Sequence, residues 1–191
     1  MRRVLLCVLT MTLLLLPAGC AGQDRAEARA MELLELYDDL EACSLTAELL
    51  ADYGERTYTF TVDVVYDRDG TSRLTILEPD LLAGLTVRWQ EETATLEYDG
   101  TTVETGYLTE DGLSPMTALP ALLEAVRSGG LTACSTETWK DGRELLRLSF
   151  SDGTVSDTVW FDPDTGAPVR GEIAAEGYTV ITCTVTDFRF G

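Results

Sequence analysis

"TYTFTVDVVYD", residues 57–67, decides the fold. Tyr58, Phe60, Val62, Val64 and Tyr66 alternate with Thr57, Thr59, Thr61 and Asp63. A side-chain period of two puts the five large apolar residues on one face of a β-strand and the polar ones on the other. Such a strand needs neighbours of its own kind, and the flanking sequence supplies them. Asp-Gly occurs five times, at Asp69-Gly70, Asp99-Gly100, Asp111-Gly112, Asp141-Gly142 and Asp152-Gly153. Several of these pairs separate alternating runs, where a tight hairpin turn takes positive φ at both residues. The pattern predicts strands near 44–51, 57–67, 72–78, 85–90, 94–98, 101–105, 131–139, 143–151, 155–162, 167–175 and 178–189.

Two stretches break the period of two. "DRAEARAMELLELYDDLEACS", 24–44, repeats Leu33, Leu36, Tyr37, Leu40 and Cys43 at three- and four-residue steps, which predicts one amphipathic helix. "SPMTALPALLEAVRSGG", 114–130, has a Ser-Pro start, apolar Leu119, Leu122, Leu123 and Val126, and a Gly-Gly stop, and so predicts another. The order is helix, about six strands, helix, about five strands, and the two helices are the available cover for one face of the sheet. Several strands are apolar on both faces, with Val159 and Phe161 opposite Trp160, and Leu146, Leu148 and Phe150 beside Leu145. That suits either a sheet wrapped around something apolar or ordinary core packing.

The chain has 191 residues, with 14 Lys+Arg against 33 Asp+Glu, a net charge of −19. No linker-like stretch or internal repeat divides it, so one domain is expected. The charge offers no basic footprint for nucleic acid and repels an anionic bilayer surface. Histidine is absent, which removes the commonest general base, the usual partner of a Ser or Cys nucleophile, and the commonest nitrogen ligand for zinc. No Gly-rich phosphate loop or Ser-centred elbow occurs. "FDPDTG", Phe161 to Gly166, begins like a calcium loop but lacks the later ligands and the bidentate Glu, so it reads as a hairpin turn. Glu91-Glu92 falls at another turn. The reading is of a non-catalytic protein with no cofactor and no metal.

At the N-terminus Arg2 and Arg3 precede an apolar run from Val4 to Leu16, then Ala18-Gly19 and Cys20. At thirteen residues, two of them threonines, the run is too short to span a bilayer, where about 20 are needed, and the plan is that of a signal peptide. With Cys directly after small residues, it resembles the lipobox of bacterial lipoproteins, with Pro17 where that family favours Leu. The resemblance implies cleavage before Cys20 and a diacylglyceryl group on its sulfur, so that 1–19 is a signal peptide, 20–24 a short tether and 25–191 the domain. The alternative is an ordinary cleavage site that leaves Cys20 free. Two acyl chains suffice for stable anchoring, which points to the extracytoplasmic face of a bacterial cell membrane. Cys43, Cys134 and Cys183 remain, allowing at most one disulfide and one spare thiol. Cys183, inside the alternation of "YTVITCTVTDF", reads as a small buried hydrophobe.

Three stretches carry a wider resemblance: "RLTILEPDLLAGLTVRWQEETATLEYDG" (73–100), the mid-chain helix, and "VWFDPDTGAPVRGEIAAEGYTVITCTVTDFRFG" (159–191). They are similar to the LolA-like superfamily of lipoprotein carriers and related lipoproteins, which includes clostridial-type members linked to spore germination. The resemblance implies a mainly β (α+β) fold, an incomplete antiparallel β-barrel of about eleven strands with helices covering its concave face. It implies one of two functions. The first is holding an acyl chain or other apolar ligand in the half-barrel cavity; the second is docking or regulating a cell-envelope or sporulation protein. Tyr58, Phe60, Val62, Val64, Trp89 and Trp160 are the expected cavity residues.

Overall fold

Eleven antiparallel strands form one sheet built from two meanders. In the computed structural model the described residues are 20–90, 93–106, 112–128, 130–151 and 153–191. The expected 1–19 signal segment, Glu91-Glu92, Asp111 and Asp152 lie outside them. Helix α1 (Cys20–Asp38) is followed by β1 (Ala42–Asp52), β2 (Thr57–Asp67), β3 (Ser72–Glu78), β4 (Thr86–Gln90), β5 (Thr93–Tyr98) and β6 (Thr101–Gly106). Helix α2 (Ala118–Ser128) leads to β7 (Leu131–Thr138), β8 (Glu144–Ser151), β9 (Val155–Phe161), β10 (Pro168–Ala175) and β11 (Tyr178–Phe190). The spatial order is β6-β5-β4-β3-β2-β1-β11-β10-β9-β8-β7. The first and last strands join the meanders at the centre of the sheet, from Cys43 opposite Phe190 to Ala51 opposite Ile181. β6 and β7 are the two edges, so the sheet does not close: it is the expected incomplete barrel, and α2 links one edge to the other.

The turn chemistry is local. Between β5 and β6 both Asp99 (φ 48°) and Gly100 (φ 73°) take the left-handed region that a two-residue hairpin requires. Glu176 (φ 54°) and Gly177 (φ 83°) do the same between β10 and β11 without an Asp-Gly signal. "FDPDTG" is the hairpin turn into β10. The Asp162 Oδ1 accepts from the backbone N–H groups of Asp164 and Thr165, each at 3.0 Å.

The first helix needs correction. α1 stops at Asp38, and 42–44 belong to β1. From Cys43 the apolar residues Cys43, Leu45, Ala47, Leu49 and Ala51 run at period two and pair in unbroken register with β2, so ladder bonding outcompetes a further helical turn. Ala26, Ala30, Leu33 and Tyr37 form the buried face of α1, while Leu36 is exposed. Leu40 and Cys43 are buried too, but from the turn and from β1. The helix also takes in residues 20–23, which the pattern left outside it, so the expected 20–24 tether is helical. α2 is shorter than 114–130 because Ser114 only opens it: the Ser114 carbonyl accepts from the N–H groups of Thr117 (3.0 Å) and Ala118 (2.9 Å).

Core packing fills the concave side. Leu49, Val62, Leu74, Ile76, Leu148, Phe161, Ile173 and Ile181 are essentially inaccessible and share one cluster with the buried faces of α1 and α2. The convex side carries a smaller cluster. Leu145 is fully buried there, and Trp160 donates from Nε1 to Glu137 Oε2 at 2.7 Å. The Arg147 and Arg170 guanidinium carbons lie 5.6 Å and 6.0 Å from the Trp160 ring centroid, and the Trp139 ring is 6.3 Å away. The apolar residues on both faces of β8 and β9 therefore serve two separate packing layers.

α2 sits on the sheet through a glycine. A Cβ at Gly171 would meet Leu122 Cδ1 at 2.5 Å. Gly171→Ala is expected to destabilise the fold by about 1–3 kcal/mol through overpacking, and the loss should shrink in a Leu122→Ala background. Chemical denaturation of the four-member cycle measures this coupling.

Candidate functional site

Beneath α2 lies an apolar cavity of about 50 Å³. Tyr37 of α1 closes one end. Leu119, Leu122, Leu123 and Val126 of α2 form the roof, and Cys43, Leu45, Val159, Phe161, Pro168, Arg170, Gly171, Cys183, Val185 and Phe188 form floor and walls. Arg170 brings no free charge to it. Its guanidinium donates to Glu172 Oε1 from Nε (2.9 Å) and Nη2 (2.7 Å) and covers Trp160, which puts it on the convex side. The Tyr37 hydroxyl is occupied too, donating to the Gly166 carbonyl at 3.0 Å. Its ring meets Phe161 edge-on at a centroid distance of 5.4 Å.

None of the six expected residues lines this cavity. Val62 and Val64 are buried core. Phe60 and Trp89 are half-buried and packed against that core. Tyr58 is 42% exposed, and Trp160 lies on the opposite face of the sheet. The Tyr58–Tyr66 stripe does point to the concave side, but α2 packs over β9 and β10. The lining residues that strand reading missed include two small ones, Gly171 and Cys183, and Gly171 leaves room for Leu122. A small residue in the middle of an apolar alternation was the available signal.

Cys43, Cys134 and Cys183 are all free thiols, with Cys43 and Cys183 buried in the cavity wall. Burial pushes the Cys43 thiol up to about 11, and Cys183 is pushed up further by the same cause. Such thiols are poor nucleophiles near neutrality. Because the unfolded thiol ionises first, near its ordinary 9.0, folding stability attributable to Cys43 is intact below pH 9 and falls between pH 9 and about 11. Cys43→Ala should flatten that part of the stability–pH curve. Among the described residues no group of His, Cys, Asp and Glu could hold a metal ion.

α2 is held at its C-terminal end. Arg127 Nη1 donates to the Tyr66 hydroxyl at 2.6 Å, with the guanidinium 5.5 Å from the Tyr66 ring centroid. Ahead of the helix's N-terminal end, Tyr53 donates to the Leu113 carbonyl at 3.0 Å. No helix among the described residues is long and apolar enough to cross a membrane.

Open half-barrel, covering helices and the apolar cavity beneath α2 together define the fold class. The fold is an open, helix-covered half-barrel, and the solved structures it is similar to include LolA superfamily proteins. No family model and no curated protein matches the sequence; the likenesses are to solved structures and concern the fold. An uncharacterised conserved protein from Thermus thermophilus aligns at a TM-score of 0.54 with 12% identity, over 86% of this chain and 87% of that one. The MucA/MucB complex of Pseudomonas aeruginosa aligns at 0.50 with 14% identity, over 88% of this chain and 57% of that one. A LolA superfamily protein from Nitrosomonas europaea aligns at 0.43 with 12% identity, over 85% and 93%.

Proposed function

We propose that the chain is a lipid-anchored, non-catalytic binding protein on the extracytoplasmic face of a bacterial cell membrane, and that the cleft under α2 takes one acyl chain or a similar apolar ligand. The observation that carries the reading is the cleft itself, walled by aliphatic and aromatic side chains and roofed by one short helix. Its present size sets a condition. About 50 Å³ holds a few water-sized groups, far below the roughly 300 Å³ at which ligand pockets begin. Uptake of a chain therefore requires α2 to lift away from Gly171.

Arg127 and Tyr66 oppose that lift. Arg127→Met keeps most of the packing but removes the hydrogen bond and the cation–π contact, and should speed entry of a fluorescent fatty acid several-fold with little change in fold content. Stopped-flow fluorescence measures it; unchanged entry rates would show that α2 is not the moving part. Incubation with palmitate followed by native mass spectrometry tests the reading as a whole, with one chain per protein as the expected result.

The anchor is Cys20. In cells, Cys20→Ser should abolish diacylglyceryl addition and shift the protein out of the membrane fraction. Mature protein of unmodified mass at Cys20 in the unsubstituted chain would contradict the anchor.

A second reading has its own support in the small volume of the cleft. A half-barrel already packed by its own side chains serves as a docking module for a cell-envelope protein, and the MucA/MucB complex is an instance of this fold solved with a partner. Failure of every apolar probe to bind would leave that reading standing.

A further inference from the structure

An open sheet leaves two edges, and this one treats them differently. At β7 the Gln23 side-chain amide of α1 donates to the Cys134 carbonyl at 3.4 Å. β6 has nothing comparable. It bonds to β5 on one side and ends the sheet on the other. The side chains of Thr101 to Thr105 are all exposed, and no hydrogen bond reaches the outer side of the strand among the described residues. Natural edges are blunted by Pro, charged side chains or bulges. The β6 sequence, "TTVETG", contains no Pro, Lys or Arg, and Glu104 is its one charge. Its one irregularity falls after Glu104, so Thr101 to Glu104 keep a regular ladder against Tyr98 to Thr95.

The two faces of this edge specify what could extend it. On the concave face the register aligns Leu74, Val87, Leu96 and Val103 in one apolar row running out from the core. It ends at Val103, which is 53% exposed. On the convex face Thr102 lies opposite Glu97, with Glu104 two residues on. Glu97 is paired with Arg88 at 3.2 Å, whereas Glu104 has no ion pair among the described residues. β5 and β6 carry no Lys or Arg at all. A strand added here would place every second side chain beside Val103 and the alternate ones beside Glu104.

We propose that β6 is an edge-docking site for an extended segment of a partner protein in which β-branched residues alternate with Lys or Arg. Main-chain hydrogen bonds supply the ladder, Val103 accepts the apolar face, and Glu104 selects the cationic one. A second copy of this chain is a poor occupant, because each copy carries a net charge of −19 and brings the same acidic face. The site is independent of whether the cleft under α2 is filled.

The test uses the full chain in detergent and a fluorescein-labelled, end-blocked peptide of four Lys-Val repeats. Fluorescence anisotropy should show saturable binding that weakens with salt. Hydrogen exchange should slow on binding at residues 101–106 and not at β7. Glu104→Lys should weaken binding at least fivefold, and so should N-methylation of alternate peptide bonds in the probe; a Glu-Val peptide should not bind. The far-UV spectrum of the variant checks its fold. The proposal is overturned by any of four results: no saturable binding, equal binding to Glu104→Lys and to the N-methylated peptide, protection at β7 or at the cleft instead of β6, or a dimer of the chain through β6 by light scattering.

Discussion

Phe161→Ala is expected to destabilise the protein by about 3–5 kcal/mol, the range for truncating a buried aromatic. Phe161 is 1% exposed and packs its ring against Tyr37 at 5.4 Å, so it joins β9 to α1. Removing it deletes that contact and enlarges the cavity it lines. With domain stabilities of about 5–15 kcal/mol, the loss approaches unfolding. Urea denaturation with far-UV detection measures it, and a shift below about 1 kcal/mol would mean that α1 is not anchored through this ring. Tyr37→Phe provides the contrast. It keeps the ring and removes only the hydrogen bond to the Gly166 carbonyl, for about 0.5–1.5 kcal/mol.

Filling the cleft should separate binding from stability. Cys183 is fully buried in the cavity wall, and Cys183→Met adds two heavy atoms where about 50 Å³ is free. Methionine adapts to irregular gaps, so the stability loss should stay at or below about 1–3 kcal/mol, the range for added core atoms. Uptake of a fluorescent fatty acid should fall at least tenfold, since the added atoms take the floor on which the chain would lie. A variant that is stable and binds normally would place the ligand elsewhere.

How much of this was written in the sequence differs between levels. Strands were legible almost residue by residue, because period-two alternation and Gly-containing turns act within a few residues of each other. The end of α1 was not. Leu40 and Cys43 continue a helical stripe on paper, and only the pairing of Cys43 with Tyr66 and Phe190 shows why the chain turns to strand. The cavity was harder still. Alternation assigns Tyr58 to a face of β2, but not whether a helix crosses above it. Tyr58 pairs with Ala51 near the end of its strand and stays 42% exposed. Trp160 looked like a lining residue because it is large and alternates; the guanidinium groups of Arg147 and Arg170 that cover it come from the neighbouring strands, β8 and β10. The small residue that makes room, Gly171, carries its meaning only once Leu122 lies above it.

The cleft can be interrogated through its own thiols. Cys43 and Cys183 line it, whereas Cys134 lies on β7 outside it. Alkylation by N-ethylmaleimide at pH 8, read at each cysteine by peptide mass spectrometry, should label Cys134 first and the two cavity thiols slowly, at a rate set by opening of α2. Palmitate added in increasing amounts should slow Cys43 and Cys183 together, reach its limit at one equivalent, and leave Cys134 unchanged. Cavity-thiol labelling that is indifferent to saturating palmitate, with no palmitate retained by the protein, would contradict the account.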